Sequence, residues 1–256
     1  MRRALLLMIT AALVGCRSSG APAVPDFTGT WGHQRVFGID EVCGETLPDG
    51  SLRAADCPER NDAAPSSAAG TDFPKYRPEF AAKVEELKAS QVSMDTVLRC
   101  YPPGVPRIGP PAKIVQNARE VVFLYDDANG SFYRVIPIDG RKHRTGISSS
   151  YLGDAVGRIE GDTLVVETVN VTDETWLTDN GAFHTNGLRV VERLRRVGDT
   201  IEYQAIAHDP AVLAEPWTLP ARVLKRSDQE VEEPPRCEER DLEHMVDATQ
   251  YHDNPR

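Results

Sequence analysis

Leu188-Arg189-Val190-Val191-Glu192-Arg193-Leu194-Arg195 decides the fold class. Side chains alternate across a strand, so one face carries Leu188, Val190, Glu192 and Leu194. The other carries Arg189, Val191, Arg193 and Arg195. This is the alternation of a half-buried strand and not the recurrence of a helix. Glu192 therefore points with the apolar set. A carboxylate in that position must be paired, or have a raised pKa, or both. It is a candidate pocket acid or base; the opposing interpretation is a structural salt bridge to an inward-facing arginine.

Strand-like runs extend outward from this one, at residues 121–125, 132–138, 151–159, 163–171, 201–208 and 217–224. Asn129-Gly130, Asp139-Gly140, Gly161-Asp162 and Gly198-Asp199 separate several of them as turn dipeptides. Short strands at such intervals predict a mainly β fold, an antiparallel meander that closes as a lipocalin-like barrel or folds as a sandwich. Upstream, residues 26–36 read as a first strand and 38–76 as loop. One helix is predicted near 77–92: Pro78 suits a first turn, and Phe80, Val84 and Leu87 recur at helical spacing. Residues 100–107, rich in proline, read as a stiff extended segment. The organisation is then one β-rich domain over 26–240, a loop and helix insertion over 38–112, and a helical C-terminal extension over 241–256.

A chain of 256 residues with 40% hydrophobic and 27% charged residues sustains one globular core. The net charge of -10 opposes phosphate contacts, which excludes nucleic acid as the expected partner. Residues 1–15 have the form of an export signal, a basic Met1-Arg2-Arg3 followed by a short apolar run. Leu13-Val14-Gly15-Cys16 resembles a bacterial lipobox. That resemblance implies cleavage before Cys16, acylation of its sulfur and membrane attachment through the lipid. Arg17, in place of Asp, implies release from the inner membrane, so the expected location is the periplasmic face of the outer membrane. Residues 16–25 comprise the lipidated cysteine and a flexible tether.

Four further cysteines, an even count in an oxidising compartment, predict two disulfides with three possible pairings. The favoured pairs are Cys43–Cys57, closing a local polar loop, and Cys100–Cys237, tying the middle of the chain to its end. Their spacings do not match a metal site, and no His pair lies at a ligand interval. No P-loop, Gly-x-Ser-x-Gly or HExxH motif is present, so no cofactor is expected.

Asp139-Gly140-Arg141-Lys142-His143 places a carboxylate, a guanidinium and an imidazole within five residues after a strand. His143 is a candidate general base, and Arg141 a candidate holder of an oxyanion. Asp139 also suits a plain turn. His184 precedes the Glu192 strand and is a candidate to join His143 at a barrel mouth. Trp176 and Trp217, large rings in polar surroundings, are candidate walls of a ligand pocket or caps of the core.

Phe27-Thr28-Gly29-Thr30-Trp31 resembles the Gly-x-Trp opening of lipocalin-like barrels, in which the Trp plugs the closed end. Taken in order, this segment, residues 100–107, Asp139-Gly140-Arg141 with His143, residues 160–168, Thr175-Trp176-Leu177, His184, Val191-Glu192-Arg193, Asp209-Pro210 with Pro216-Trp217, and Cys237-Glu238-Glu239 resemble a family of bacterial secreted proteins and lipoproteins without an assigned function. The resemblance implies that Cys100 and Cys237 form a family pair and that Cys43–Cys57 is a local addition. It supplies no reaction. The expected function is a lipid-anchored periplasmic protein that binds a small organic ligand in a barrel-like pocket. One alternative is an acid–base enzyme (hydrolase, isomerase or lyase) using Glu192 with His143 and His184. Another is an envelope interaction protein without a pocket.

Overall fold

A computed structural model describes residues 24–32, 34–35, 38–39, 42–46, 52–56, 73–127, 129–233 and 237. Cys16 of the expected lipobox, Cys57 of the expected Cys43–Cys57 bond and the expected C-terminal extension lie outside the described residues. Fourteen strands and two α-helices follow one another among those described. They are β1 (Gly29–Thr30), β2 (Gln34–Arg35), β3 (Gly38–Ile39), β4 (Val42–Thr46), β5 (Leu52–Asp56), α1 (Ala81–Ala89), α2 (Gln91–Met94), β6 (Lys113–Gln116), β7 (Glu120–Asp127) and β8 (Gly130–Pro137). Then come β9 (Asp154–Glu160), β10 (Thr163–Val169), β11 (Arg189–Val197), β12 (Thr200–His208), β13 (Trp217–Thr218) and β14 (Arg222–Lys225).

The fold is mainly β and antiparallel, as the alternation predicts. One sheet has the order β1-β6-β7-β8; the larger has the order β5-β4-β14-β12-β11-β10-β9, with β13 also on β12. β2 and β3 pair with each other. Inward side chains fill the space between the two sheets: Val121, Phe123 and Tyr125 from β7, Leu164 and Val166 from β10, Val190 and Leu194 from β11, and Ile201 and Tyr203 from β12. Each such burial stabilises by about 1.5–3 kcal/mol for a large aliphatic or aromatic side chain, before entropy is counted.

The two margins of this sandwich differ. On one, Trp31 bridges Arg226, and Gly32 N donates to Lys225 O at 2.8 Å while Ser227 N donates to Thr30 O at 2.9 Å. Trp31 is buried there, with the guanidinium groups of Arg196 and Arg226 over its ring at 4.7 and 4.8 Å. On the other margin no ladder joins β8 to β9 among the described residues. Contact is made by side chains, and Gly157 permits it. A Cβ at Gly157 would lie 2.9 Å from Ile138 Cγ2 and 3.0 Å from Ile136 Cγ2.

The helix forms where expected, as a 3-10 turn at Pro78–Phe80 followed by α1 and the short α2. Val84 is buried, and the rings of Tyr76 and Phe80 pack on Phe183 at centroid distances of 5.0 and 5.9 Å. Three segments differ from expectation. Val42–Thr46 and Leu52–Asp56, within the segment that reads as loop, pair with each other and extend β14. An edge hairpin requires a backbone ladder but not apolar alternation, so its sequence carries no strand signal. Residues 217–224 split into β13 and β14 because Pro220, between them, has no N–H to donate. The proline-rich segment is not extended throughout: the Val105–Pro106 peptide is cis, and Ile108 N turns back to Gly104 O at 2.8 Å. Cys100 and Cys237 are disulfide-bonded, as expected, with their Cα atoms 5.7 Å apart.

Candidate functional site

Glu192 lies on the inner face of β11 with 0% exposure. Arg134, inward on β8 of the opposing sheet, places Nη1 2.7 Å from Glu192 Oε2. The Tyr203 hydroxyl donates to Glu192 Oε1 at 3.1 Å. Arg134 also donates from Nη1 to the Tyr125 hydroxyl at 3.0 Å and from Nη2 to Thr168 Oγ1 at 2.5 Å. Burial pushes the hydroxyls of Tyr125 and Tyr203 up, so both stay neutral. Burial opposes the charge of Arg134, but Glu192 and Tyr125 more than offset it, and the guanidinium stays charged. Both Glu192 oxygens are thus engaged. This is the arrangement of a buried salt bridge to an inward arginine. Its one unmet group is Arg134 Nε, enclosed and without an acceptor among the described residues.

His143 occupies the opposite side of the sheet. The loop after β8 folds over Asp154 at the start of β9, and His143 Nδ1 comes 3.0 Å from Asp154 Oδ2. Its Nε2 is 3.4 Å from Oε1 of Glu167, an outward residue of β10 that also pairs with Arg189. Asp154 accepts from Arg144 N at 2.9 Å and from Arg144 Nε at 2.7 Å, and Arg141 Nη2 is 3.6 Å away. Burial raises the Asp154 pKa, but the Arg144 N–H groups and His143 outweigh it and hold the carboxyl below its usual range. Gly153 makes the approach possible. Its φ is +68°, and a Cβ there would meet Val169 O at 2.6 Å.

A cleft of about 580 Å³ opens between this loop and the unpaired margin of β8. Tyr133, Arg134 and Val135 form one wall, Arg141 and Arg144 a second, and residues 150–155 the third. Tyr151 is held by stacking on Tyr101 at 5.2 Å and by donating to Glu174 Oε2 at 2.7 Å. Burial and that acceptor push its hydroxyl up to about 12. Of the charged residues lining the cleft, three are arginines and one is a carboxylate. Arg134 is matched by Glu192, so the guanidinium groups of Arg141 and Arg144 share Asp154. The cleft therefore carries positive charge on a protein of net charge -10.

The remaining candidates lie elsewhere. His184 is buried before β11, with Nε2 2.8 Å from Thr175 Oγ1 and Nδ1 2.9 Å from Thr185 O. Burial pulls its pKa down, against Thr185, Asp209 and Asp173. Glu192 and His143 are on opposite faces of one sheet, and His184 bonds neither, so these three residues do not form one site. Asp139 accepts from Arg141 N at 3.3 Å, which is a turn role. Arg141 reaches the cleft. Trp176 and Trp217 are buried in the core and do not line the cleft. Arg134, Arg144, Asp154, Tyr133 and Tyr151 are not among the residues that the sequence pattern singles out as candidates. For Arg134 the signal was present: Phe132, Arg134 and Ile136 alternate as Leu188 to Leu194 do.

No family model matches the chain, and no curated protein matches it. One solved structure, the REP1-NXSQ fatty acid transporter, is similar over 46% of this chain and 70% of its own, with 11% identity and a TM-score of 0.29.

Proposed function

We propose that this chain is a cell-envelope protein, anchored through a lipid on Cys16, that binds a small organic ligand by an anionic group in the cleft at the open sheet margin. The carrying observation is the pair Arg141 and Arg144, which share the single carboxylate of Asp154 on the wall of that cleft. Guanidinium groups recognise carboxylate and phosphate through paired N–H donors. A volume of about 580 Å³ lies within the range of small-ligand sites. The export signal and lipobox support the anchor, since two or more acyl chains hold a protein stably at a membrane. The acid–base alternative draws no support from side chains divided between two faces of a sheet.

Native mass spectrometry of the full chain recovered from its own envelope tests both parts. The anchor predicts a diacylglycerol-modified N-terminal cysteine that is lost in Cys16→Ser. The binding reading predicts an added anionic mass that is lost when Arg141 and Arg144 are both changed to Ala. An unmodified Cys16 rejects the anchor. An adduct that survives the double arginine change rejects the cleft.

A further inference from the structure

Inward residues of the smaller sheet enter the core, and part of its outer face carries exposed apolar side chains. Val115, Val122 and Val135 lie directly opposite one another across β6, β7 and β8. In the next outward row, Lys113, Leu124 and Tyr133 do the same. Val115, Val135 and Tyr133 are 43%, 45% and 66% exposed. Five of these six side chains are apolar or aromatic, and they adjoin one another across the three strands, with Val122 and Leu124 half-buried in the middle. Strands lie about 4.8 Å apart, so the strip runs about 10 Å from β8 to β6, across the strands.

This strip continues the cleft. Tyr133 and Val135 belong to both, so the apolar strip begins at the lip of the pocket that Arg141 and Arg144 line. Its other two sides are acidic or polar: Glu120 lies opposite Pro137 beyond one row, and Asp126 opposite Ser131 beyond the other. A single hydrocarbon chain entering from the cleft fits between them. Continuity with the guanidinium-lined cleft points to a hydrocarbon chain that carries its own anionic head.

We infer that the ligand is a single-chain anionic amphiphile, its carboxylate held by Arg141 and Arg144 in the cleft and its hydrocarbon chain laid across Tyr133, Val135, Val122 and Val115. This rests on the cleft reading proposed above.

The test uses the full lipidated chain in phosphatidylcholine nanodiscs. It is titrated calorimetrically with hexanoate, octanoate and decanoate, each against empty nanodiscs. Affinity should rise roughly two- to four-fold per methylene while the chain lies on the strip. Val135→Ser and, separately, Val115→Ser should reduce that increment; two exposed positions on different strands guard against one misfolded variant. Carboxylate binding of equal strength at all three lengths overturns the strip and leaves the anion cleft standing. No binding at any length, or binding that survives replacement of both arginines, overturns the strip and the cleft together. Adsorption of the unlipidated Cys16→Ser chain to anionic vesicles, without binding of the monomeric acids, assigns the strip to a bilayer and overturns the inference.

Discussion

Arg134 Nη1 reaches Glu192 Oε2 at 2.7 Å across the interior and so couples β8 of one sheet to β11 of the other. The pair is shielded from water, so removing one partner strands the other charge. Arg134→Met should cost about 3–5 kcal/mol, whereas Arg134→Met with Glu192→Leu should cost less than the two single changes added together, the remainder coming from the Tyr125, Thr168 and Tyr203 hydroxyls that lose partners. Urea unfolding of the two single variants and the double closes the cycle. If the double loses as much as the two singles added together, the pair is not energetically coupled.

Half of this pair is legible from alternation alone. Glu192 sits in an apolar face of its strand, and the same rule turns Arg134 inward. Their meeting is not legible, because 58 residues and a change of sheet separate them. The cleft is less legible still. It depends on β8 and β9 failing to pair, and on a loop whose arginines fold back on Asp154. Neither follows from period or composition. The hairpin β4 and β5 was hidden for a different reason: edge pairing is a backbone property that leaves no hydrophobic pattern.

The Cys100–Cys237 bond closes a loop of 137 residues of sequence separation. On the chain-entropy account, a loop of that size contributes roughly 5 kcal/mol. Changing both cysteines to Ala should lower the unfolding midpoint with the far-ultraviolet spectrum preserved. Denaturant unfolding checks it: a midpoint equal to that of the native chain would show that the bond contributes nothing.

His184 is held below its ordinary pKa by burial, so the folded state favours the neutral ring. An unfolded histidine titrates near ~6.5. The stabilisation is therefore complete above that pH and is lost as the pH falls from there through the folded pKa. His208 is shifted in the same direction, by burial and Arg189, and adds a second contribution of the same sign. The thermal midpoint of the native chain should fall between about pH 7.5 and 5, an interval that brackets the ordinary histidine pKa, and that of His184→Gln should fall less steeply. Parallel slopes for the two proteins would remove His184 from the pH response.

Arg144 has two roles at the cleft, and a graded substitution separates them. Its backbone N–H and Nε both bond Asp154, so it orders the loop as well as supplying charge. Arg144→Ala keeps the backbone bond, loses the guanidinium and leaves Asp154 to Arg141 and His143. A charge-assisted hydrogen bond contributes about 1.5–3 kcal/mol, so affinity for a carboxylate probe should fall roughly ten- to hundred-fold. Arg144→Lys restores a cation but not the planar pair of donors, and should recover only part of that loss. Arg141→Ala should weaken the probe as well while leaving the Asp154–Arg144 bonds intact. Calorimetric titration of octanoate into each variant ranks them. Full recovery in the lysine variant would mean that the cleft attracts anions only by net charge, and equal affinity in all variants would place the anion elsewhere on the protein.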